Sequence, residues 1–132
     1  MDELLIDATV ENLDAVLDFV NARLGDCLPK IRHQIAIAVD EIFSNIARYA
    51  YHPGTGDAKV RIAVESDIAI EFEDSGVPYD PLSADDPDIS SPVEEREIGG
   101  LGVFMVKNIM DSVEYRRDGN KNILTIRKKL TQ

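Results

Sequence analysis

Apolar positions recur along this chain with two different periods, and each change of period marks a boundary between elements. Leu4-Leu5-Ile6 is a short apolar run that predicts an opening strand. Val10, Leu13, Leu17, Val20 and Leu24 follow at helical spacing, with Glu11, Asp14, Asp18 and Asn21 on the other side. Thr9 is placed to cap that helix and Gly25 to end it. Pro29 suits the first turn of a second helix, predicted over residues 29–51. Its middle, Ile35-Ala36-Ile37-Ala38-Val39, is apolar on every side, which predicts burial in the domain centre. After the turn-rich break His52-Pro53-Gly54-Thr55-Gly56 the period becomes two. Val60, Ile62 and Val64 share one strand face, Ser66-Asp67 turns the chain, and Ile68, Ile70 and Phe72 share one face of the return strand. Lys59, Arg61, Glu65, Glu71 and Glu73 fall on the opposite face, so the sheet has one buried side and one wet side.

Residues 77–98 lose all periodicity and are punctuated by Pro78, Pro81, Pro87 and Pro92. A loop of that length is either a lid over a site or an acidic surface excursion. The helical period returns in Val103, Val106 and Met110, with Ile109 beside them, directly after Gly99-Gly100-Leu101-Gly102. Val113 and Tyr115 begin a strand, Asp118-Gly119-Asn120 signals a hairpin, and Asn122-Ile123-Leu124-Thr125-Ile126 returns. Arg116, Arg117, Lys121, Arg127, Lys128 and Lys129 make this hairpin the basic region, which reads as a solvated sheet edge. The elements together predict an α+β two-layer sandwich with helices on one face of the sheet.

Composition narrows the class. The 132 residues read as one domain over residues 1–132, with 25 acidic against 14 basic residues and a formal charge of −11. Such a surface repels nucleic acid and anionic membranes, so neither is expected as a partner. Cys27 has no second cysteine to pair with, no apolar run reaches spanning length, and the start lacks signal-peptide character. A cytoplasmic protein is the expectation.

Three places carry candidate chemistry. Glu41, Asn45 and Arg48 stand at i, i+4 and i+7 beside the apolar middle of the second helix. They form either a solvated helix edge or a polar stripe facing a ligand cavity, because a carboxylate and an amide beside a core need partners. Asp74 continues the inward parity of residues 68, 70 and 72, which places a carboxylate on the covered side of the sheet. It forms a pocket floor, or else caps the turn made by Gly76 and Pro78. The glycines of residues 99–102 open a helix whose first backbone N–H groups lack partners, a phosphate-binding device as well as a flexible turn. His33 and His52 lie far apart in the pattern and read as ordinary helix and turn residues.

Glu41-x-x-x-Asn45 on a buried helix, Asp74-x-Gly76 after a strand, a lid and Gly99-Gly100-x-Gly102 opening a helix resemble, in that order, the GHKL (Bergerat-fold) ATPases. The run Asp74-Ser75-Gly76-Val77-Pro78-Tyr79-Asp80-Pro81 and the ending Ile109-Met110-Asp111 look more specifically like the bacterial anti-sigma-factor serine-protein kinases. The resemblance implies a Bergerat fold with a mixed, mostly antiparallel sheet, and an ATP lid at residues 81–98. It implies that Asn45 holds Mg²⁺, that Glu41 is the general base, and that Asp74 accepts a hydrogen bond from the adenine amino group. Gly76 would let the backbone pass close to the base, and Gly100, Leu101 and Gly102 would contact phosphates. Arg48 lies where many relatives carry a basic residue near the phosphates, and Thr125 where relatives often have a threonine behind adenine. Two departures stand out: Ile46 replaces the usual small residue after the asparagine, and Tyr49 stands where anti-sigma kinases commonly carry histidine.

The function implied is an ATP-dependent serine/threonine protein kinase acting as an anti-sigma-type regulator. Its partners would be a small anti-sigma-factor antagonist protein, which it phosphorylates in a partner-switching pathway, and a sigma factor, with a homodimer compatible with the resemblance. The alternative is a non-catalytic module that binds ATP or ADP to set its shape for a partner.

Overall fold

The computed structural model describes residues 1–78, 82 and 100–130. Five strands, β1 (Asp2–Asp7), β2 (Asp57–Val64), β3 (Asp67–Asp74), β4 (Ser112–Asp118) and β5 (Lys121–Lys129), form one sheet in the order β1-β2-β3-β5-β4. All four pairings are antiparallel. The expected α+β sandwich is therefore present, and its described sheet is antiparallel throughout rather than mixed. Short turns impose this on β2–β3 and β4–β5, since only antiparallel strands accept so short a link. In the second turn Gly119 takes φ +61 while no non-glycine residue has positive φ, the pattern of a type II′ hairpin.

The helices α1 (Leu13–Asn21), α2 (Pro29–Asn45) and α3 (Gly100–Ile109) cover one face. Their buried residues, among them Val16, Val20, Ile35, Val39, Phe43 and Val106, and Met110 just past α3, join Val60, Ile62, Ile68, Ile70, Phe72 and Ile126 of the sheet in one core. The inward parity of β3 is as expected. On β2 it holds for Ala58, Val60 and Ile62 but fades at Val64, which is exposed at the strand end.

Three boundaries differ from the sequence expectation. The chain enters α1 through a 3₁₀ turn, Val10–Asn12, and Thr9 caps it without a side-chain hydrogen bond. That tighter turn rotates Val10 out of the apolar stripe, leaving it half exposed, and Val16 fills the buried slot. α1 ends at Asn21, short of Gly25, which takes the left-handed φ of +62 in the turn that follows, and Arg32 closes the helix end by donating to the carbonyls of Asn21 and Gly25. The second helix runs α-helically only to Asn45 and then widens into a π turn over Ile46–Ala50.

The wet face of the sheet carries a cross-strand ionic network. Arg61 bonds Glu3 at 3.0 Å, Glu73 at 2.9 Å and Glu71 at 3.4 Å, while Lys121 reaches Glu73 at 3.3 Å. Burial opposes ionisation of Glu73, but hydrogen bonds from Arg61 and Lys121 outweigh it and hold the carboxyl below the usual glutamate range. The basic hairpin is thus more than a solvated edge. Lys128 is buried and donates to the Ile109 carbonyl at 2.7 Å, closing the C-terminus of α3 where a cation suits the dipole. No helix among the described residues is long and apolar enough to cross a membrane.

Candidate functional site

A cavity of about 150 Å³ opens between the C-terminal half of α2 with its π turn, the ends of β3 and β5, and the start of α3. Its walls are mostly apolar: Ile42, Ile46, Phe72, Val103 and Leu124, with Tyr49 and Tyr115 adding rings. Polar groups enter it at two ends, Asn45 on the helix side and Asp74 with Asn122 on the sheet side. An apolar cleft with a few convergent polar groups is the usual form of a small-molecule site. Both departures noted in the sequence, Ile46 and Tyr49, line this cavity and extend its apolar wall.

Asp74 lies where strand parity places it, at the floor and 7% exposed. Its Oδ1 accepts hydrogen bonds from the Gly76 N–H and from Asn122 Nδ2, both at 2.9 Å. Its Oδ2 takes none from the described residues, so one acceptor oxygen is left over for a ligand donor. Gly76 is required by crowding: a Cβ there would lie 2.2 Å from the Ala50 carbonyl oxygen. Beside it the Val77 N–H donates to that same oxygen at 3.0 Å, pinning the turn after β3 to the π turn.

At the helix end, Asn45 Nδ2 donates to Glu41 Oε1 at 3.3 Å, while Asn45 Oδ1 is buried without a partner among the described residues. The i, i+4 stripe thus brings these two together as the spacing predicts. A buried amide oxygen with no donor is costly, and it fits a hard cation, for which such an oxygen is a suitable ligand. Glu41 lies against the first turn of α3, close enough that a Cβ on Gly102 would fall 1.9 Å from its Oε1. Gly102 is therefore needed first to admit the Glu41 carboxylate. Gly100 and Leu101 form the first turn of α3, whose N-terminal N–H groups have no partners within the helix. Gly99 and the lid expected at residues 81–98 lie outside the described residues, apart from Leu82.

Two expected residues are placed elsewhere. Arg48 is exposed and does not line the cavity. The i+7 extrapolation assumed a continuous α-helix, and the π turn at Ile46–Ala50 carries residue 48 off the Glu41–Asn45 stripe. Thr125 pairs across from Glu71 and Glu114, on the ionic face of the sheet. Strand parity puts Asn122, Leu124 and Ile126 on the cavity side and Thr125 on the other.

Four residues that the sequence reading passed over complete the site. Asn122 bridges Asp74 and the Val77 carbonyl (2.8 Å) through its amide nitrogen. Its oxygen accepts from the Tyr115 hydroxyl at 2.5 Å and from Arg117 Nη1 at 3.1 Å. Arg117 Nη1 also donates to the Gly76 carbonyl at 3.1 Å. Tyr51 clasps the other side: its hydroxyl donates to the Asp57 carbonyl and accepts from the Ser75 N–H at 2.8 Å, with its ring over Gly56, where a Cβ would lie 2.4 Å away. Burial raises the Tyr51 pKa, the Ser75 N–H opposes that, and the nearby Asp74 and Asp57 charges add to the rise, so the phenol stays protonated. Asn122 faces Asp74 directly across the β3–β5 ladder, a register that the uneven alternation of β5 does not reveal.

Residues 6–128 match the family model of the histidine kinase-like ATPase domain. The chain belongs to that family, the GHKL group of ATPases. Among similar curated proteins is the serine/threonine-protein kinase BtrW of Bordetella bronchiseptica, 25% identical over 74% of this chain and 70% of that protein. The serine-protein kinase RsbW of Bacillus thuringiensis is 29% identical over 67% of the chain, and the match spans only 58% of RsbW. Solved structures agree on the fold. A blue-light activated histidine kinase of Erythrobacter litoralis superposes with a TM-score of 0.61 at 16% identity, over 93% of this chain and 41% of that one. The histidine kinase AdeS of Acinetobacter baumannii gives 0.51 at 20% identity, over 100% of this chain and 69% of that one.

Proposed function

We propose that this chain is an ATP-dependent serine/threonine protein kinase of the anti-sigma type. The observation that carries the reading is the buried, unpartnered Oδ1 of Asn45 in the same cavity as Asp74, with Glu41 hydrogen-bonded beside it. Membership of an ATPase family and similarity to two proteins named as serine or serine/threonine kinases support it.

In this reading the base of ATP enters between the apolar walls, and Asp74 Oδ2 accepts a hydrogen bond from its amino group. Phe72, Leu124, Ile42 and Val103 keep water from the base, which strengthens that bond. The phosphates extend toward α3, where the N–H groups of its first turn and the positive end of its dipole favour anionic oxygens. Asn45 Oδ1 holds Mg²⁺, with Glu41 fixing which end of the amide faces the cavity. A Mg²⁺ ion held there would supply charge neutralisation to the transferring phosphoryl group. Glu41 takes the proton of the acceptor hydroxyl as its oxygen bonds to the γ-phosphorus and the bond to the departing ADP breaks. The acceptor is a serine or threonine on a small antagonist protein. Its phosphorylation changes which partner, antagonist or sigma factor, the kinase holds. A cytoplasmic setting and a homodimer accord with this role.

Calorimetric titration with ATP, with and without Mg²⁺, tests the nucleotide site. Wild-type protein binds with a Mg²⁺-dependent affinity, and Asn45→Ala loses at least about 100-fold in the presence of Mg²⁺. A folded wild-type protein that does not bind overturns the reading. Binding without any phosphotransfer to a serine-bearing partner leaves the non-catalytic nucleotide module instead.

A further inference from the structure

The polar groups under the cavity floor are more numerous than a ligand contact needs, and their bonding is unusually complete at one residue. Asn122 is buried, and its side-chain amide has two donor and two acceptor positions. Both donors are engaged, by Asp74 Oδ1 and the Val77 carbonyl, and both acceptor positions are filled, by Tyr115 and Arg117. An amide used up in this way has nothing to offer a ligand. What it does have is a fixed orientation: the Arg117 guanidinium can only donate, so the amide atom beside it is the oxygen and the nitrogen faces Asp74. The Gly76 N–H reaches the same Asp74 oxygen from the other side. With two donors on Oδ1, the carboxylate is held in one rotamer and Oδ2 is the oxygen left for the cavity. Arg117, also bound to the Gly76 carbonyl, ties this arrangement to the β4–β5 hairpin.

We propose that Asn122 is a positioning residue that aims Asp74 and thereby sets the preference of this pocket for a purine bearing a 6-amino group. The inference rests on the nucleotide reading and deepens it. A carboxylate oxygen accepts a hydrogen bond from an amino group and repels a carbonyl oxygen, so discrimination depends on which way that oxygen points. A freely rotating Asp74 would still be acidic and buried, yet it would read the base edge poorly. Asn122 touches no part of the nucleotide in this scheme and acts only through Asp74.

The test compares ATP with the triphosphate of purine riboside, which lacks only the 6-amino group, by calorimetry in Mg²⁺. Wild-type protein prefers ATP by about tenfold or more, the cost of leaving a buried acceptor unpaired. In Asn122→Ala the preference falls to about threefold or less, with most of the loss on the ATP side. A merely structural role would weaken both nucleotides equally, and that result overturns the proposal, as does an unchanged ratio. Thermal melting establishes that the variant is folded. If it is not, Tyr115→Phe, which removes one bond to the Asn122 oxygen and keeps the ring, must narrow the same ratio, and a ratio identical to wild type overturns the proposal. No ATP binding by the wild type removes the nucleotide reading itself. Wild-type binding with no difference between the two triphosphates removes only this inference.

Discussion

The two ends of the cavity are built on opposite plans. At the sheet end, Asp74, Gly76, Asn122, Tyr115 and Arg117 satisfy one another, Tyr51 holds the neighbouring Ser75, and among the described residues one Asp74 carboxylate oxygen is left over. At the helix end, Asn45 Oδ1 is buried with no partner, and the bond from Asn45 to Glu41 is long at 3.3 Å. The first end is organised without a ligand, as recognition of a rigid planar group requires, because ordering done in advance is not charged to binding. The second is incomplete, and in the proposed reading its unmet hydrogen-bonding capacity favours uptake of a cation and phosphates. In the proposed reading the completed end reads the base and the unfinished end handles charge, so one is suited to shape and the other to chemistry.

Substitutions at the two ends should therefore fail differently. The largest effect is expected from Glu41→Ala, which lowers phosphotransfer by about 10²–10⁴-fold while Mg·ATP affinity stays near wild type. Calorimetry and a phosphotransfer assay on the same preparation separate the two, and unchanged transfer would remove Glu41 from its role as base. Next is Gly102→Ala, whose Cβ must displace the Glu41 carboxylate, since the two would lie 1.9 Å apart. Transfer should fall by roughly 10²-fold through misplacement of the base, with little change in melting temperature. A melting temperature that falls in step with activity would mean that the helix end is as tightly packed as the sheet end, and would erase the contrast.

Gly76→Ala probes the stiff end. Its Cβ would meet the Ala50 carbonyl oxygen at 2.2 Å, a backbone atom that cannot swing aside. About 1–3 kcal/mol of stability should be lost, read by urea unfolding, together with ATP affinity. The smallest effect lies outside the site, on the ionic face. Glu73 is held below its ordinary pKa by Arg61 and Lys121, against the opposing effect of burial. A carboxyl lowered on folding stabilises the protein above its unfolded pKa, and that contribution is lost as pH falls from about 4.5 through the folded value. Glu73→Gln should flatten this acid limb by less than about 1 kcal/mol while leaving nucleotide binding alone. Altered nucleotide binding would couple the ionic face to the pocket floor through the Glu73–Asp74 backbone.

Periodicity and turn chemistry made the layers legible. The inward parity of residues 68, 70 and 72, the Pro29 start of α2 and the Gly119 hairpin all rest on interactions between residues near in sequence, and all are present. Asp74 was legible for the same reason, as a carboxylate on the wrong side of an alternating strand. Arg48 was not, because a π turn is chosen by how the end of α2 must meet the Ser75–Val77 segment, and spacing carries no sign of it. On β5 both Ile123 and Ile126 are buried, so alternation alone left the facing of Thr125 ambiguous, and the register against β3 decides it.

By itself, then, the sequence determined the elements, the buried faces of the helices and of β3, and the pairing of Glu41 with Asn45, each set by the repeat of a helix or a strand. Only the tertiary structure decided that Asn122 faces Asp74 across 48 residues, that Arg117 leaves the basic edge to hold Gly76, and that Gly102 yields its space to Glu41. These are contacts between elements, and their geometry is set by strand register and helix packing, which no local repeat encodes.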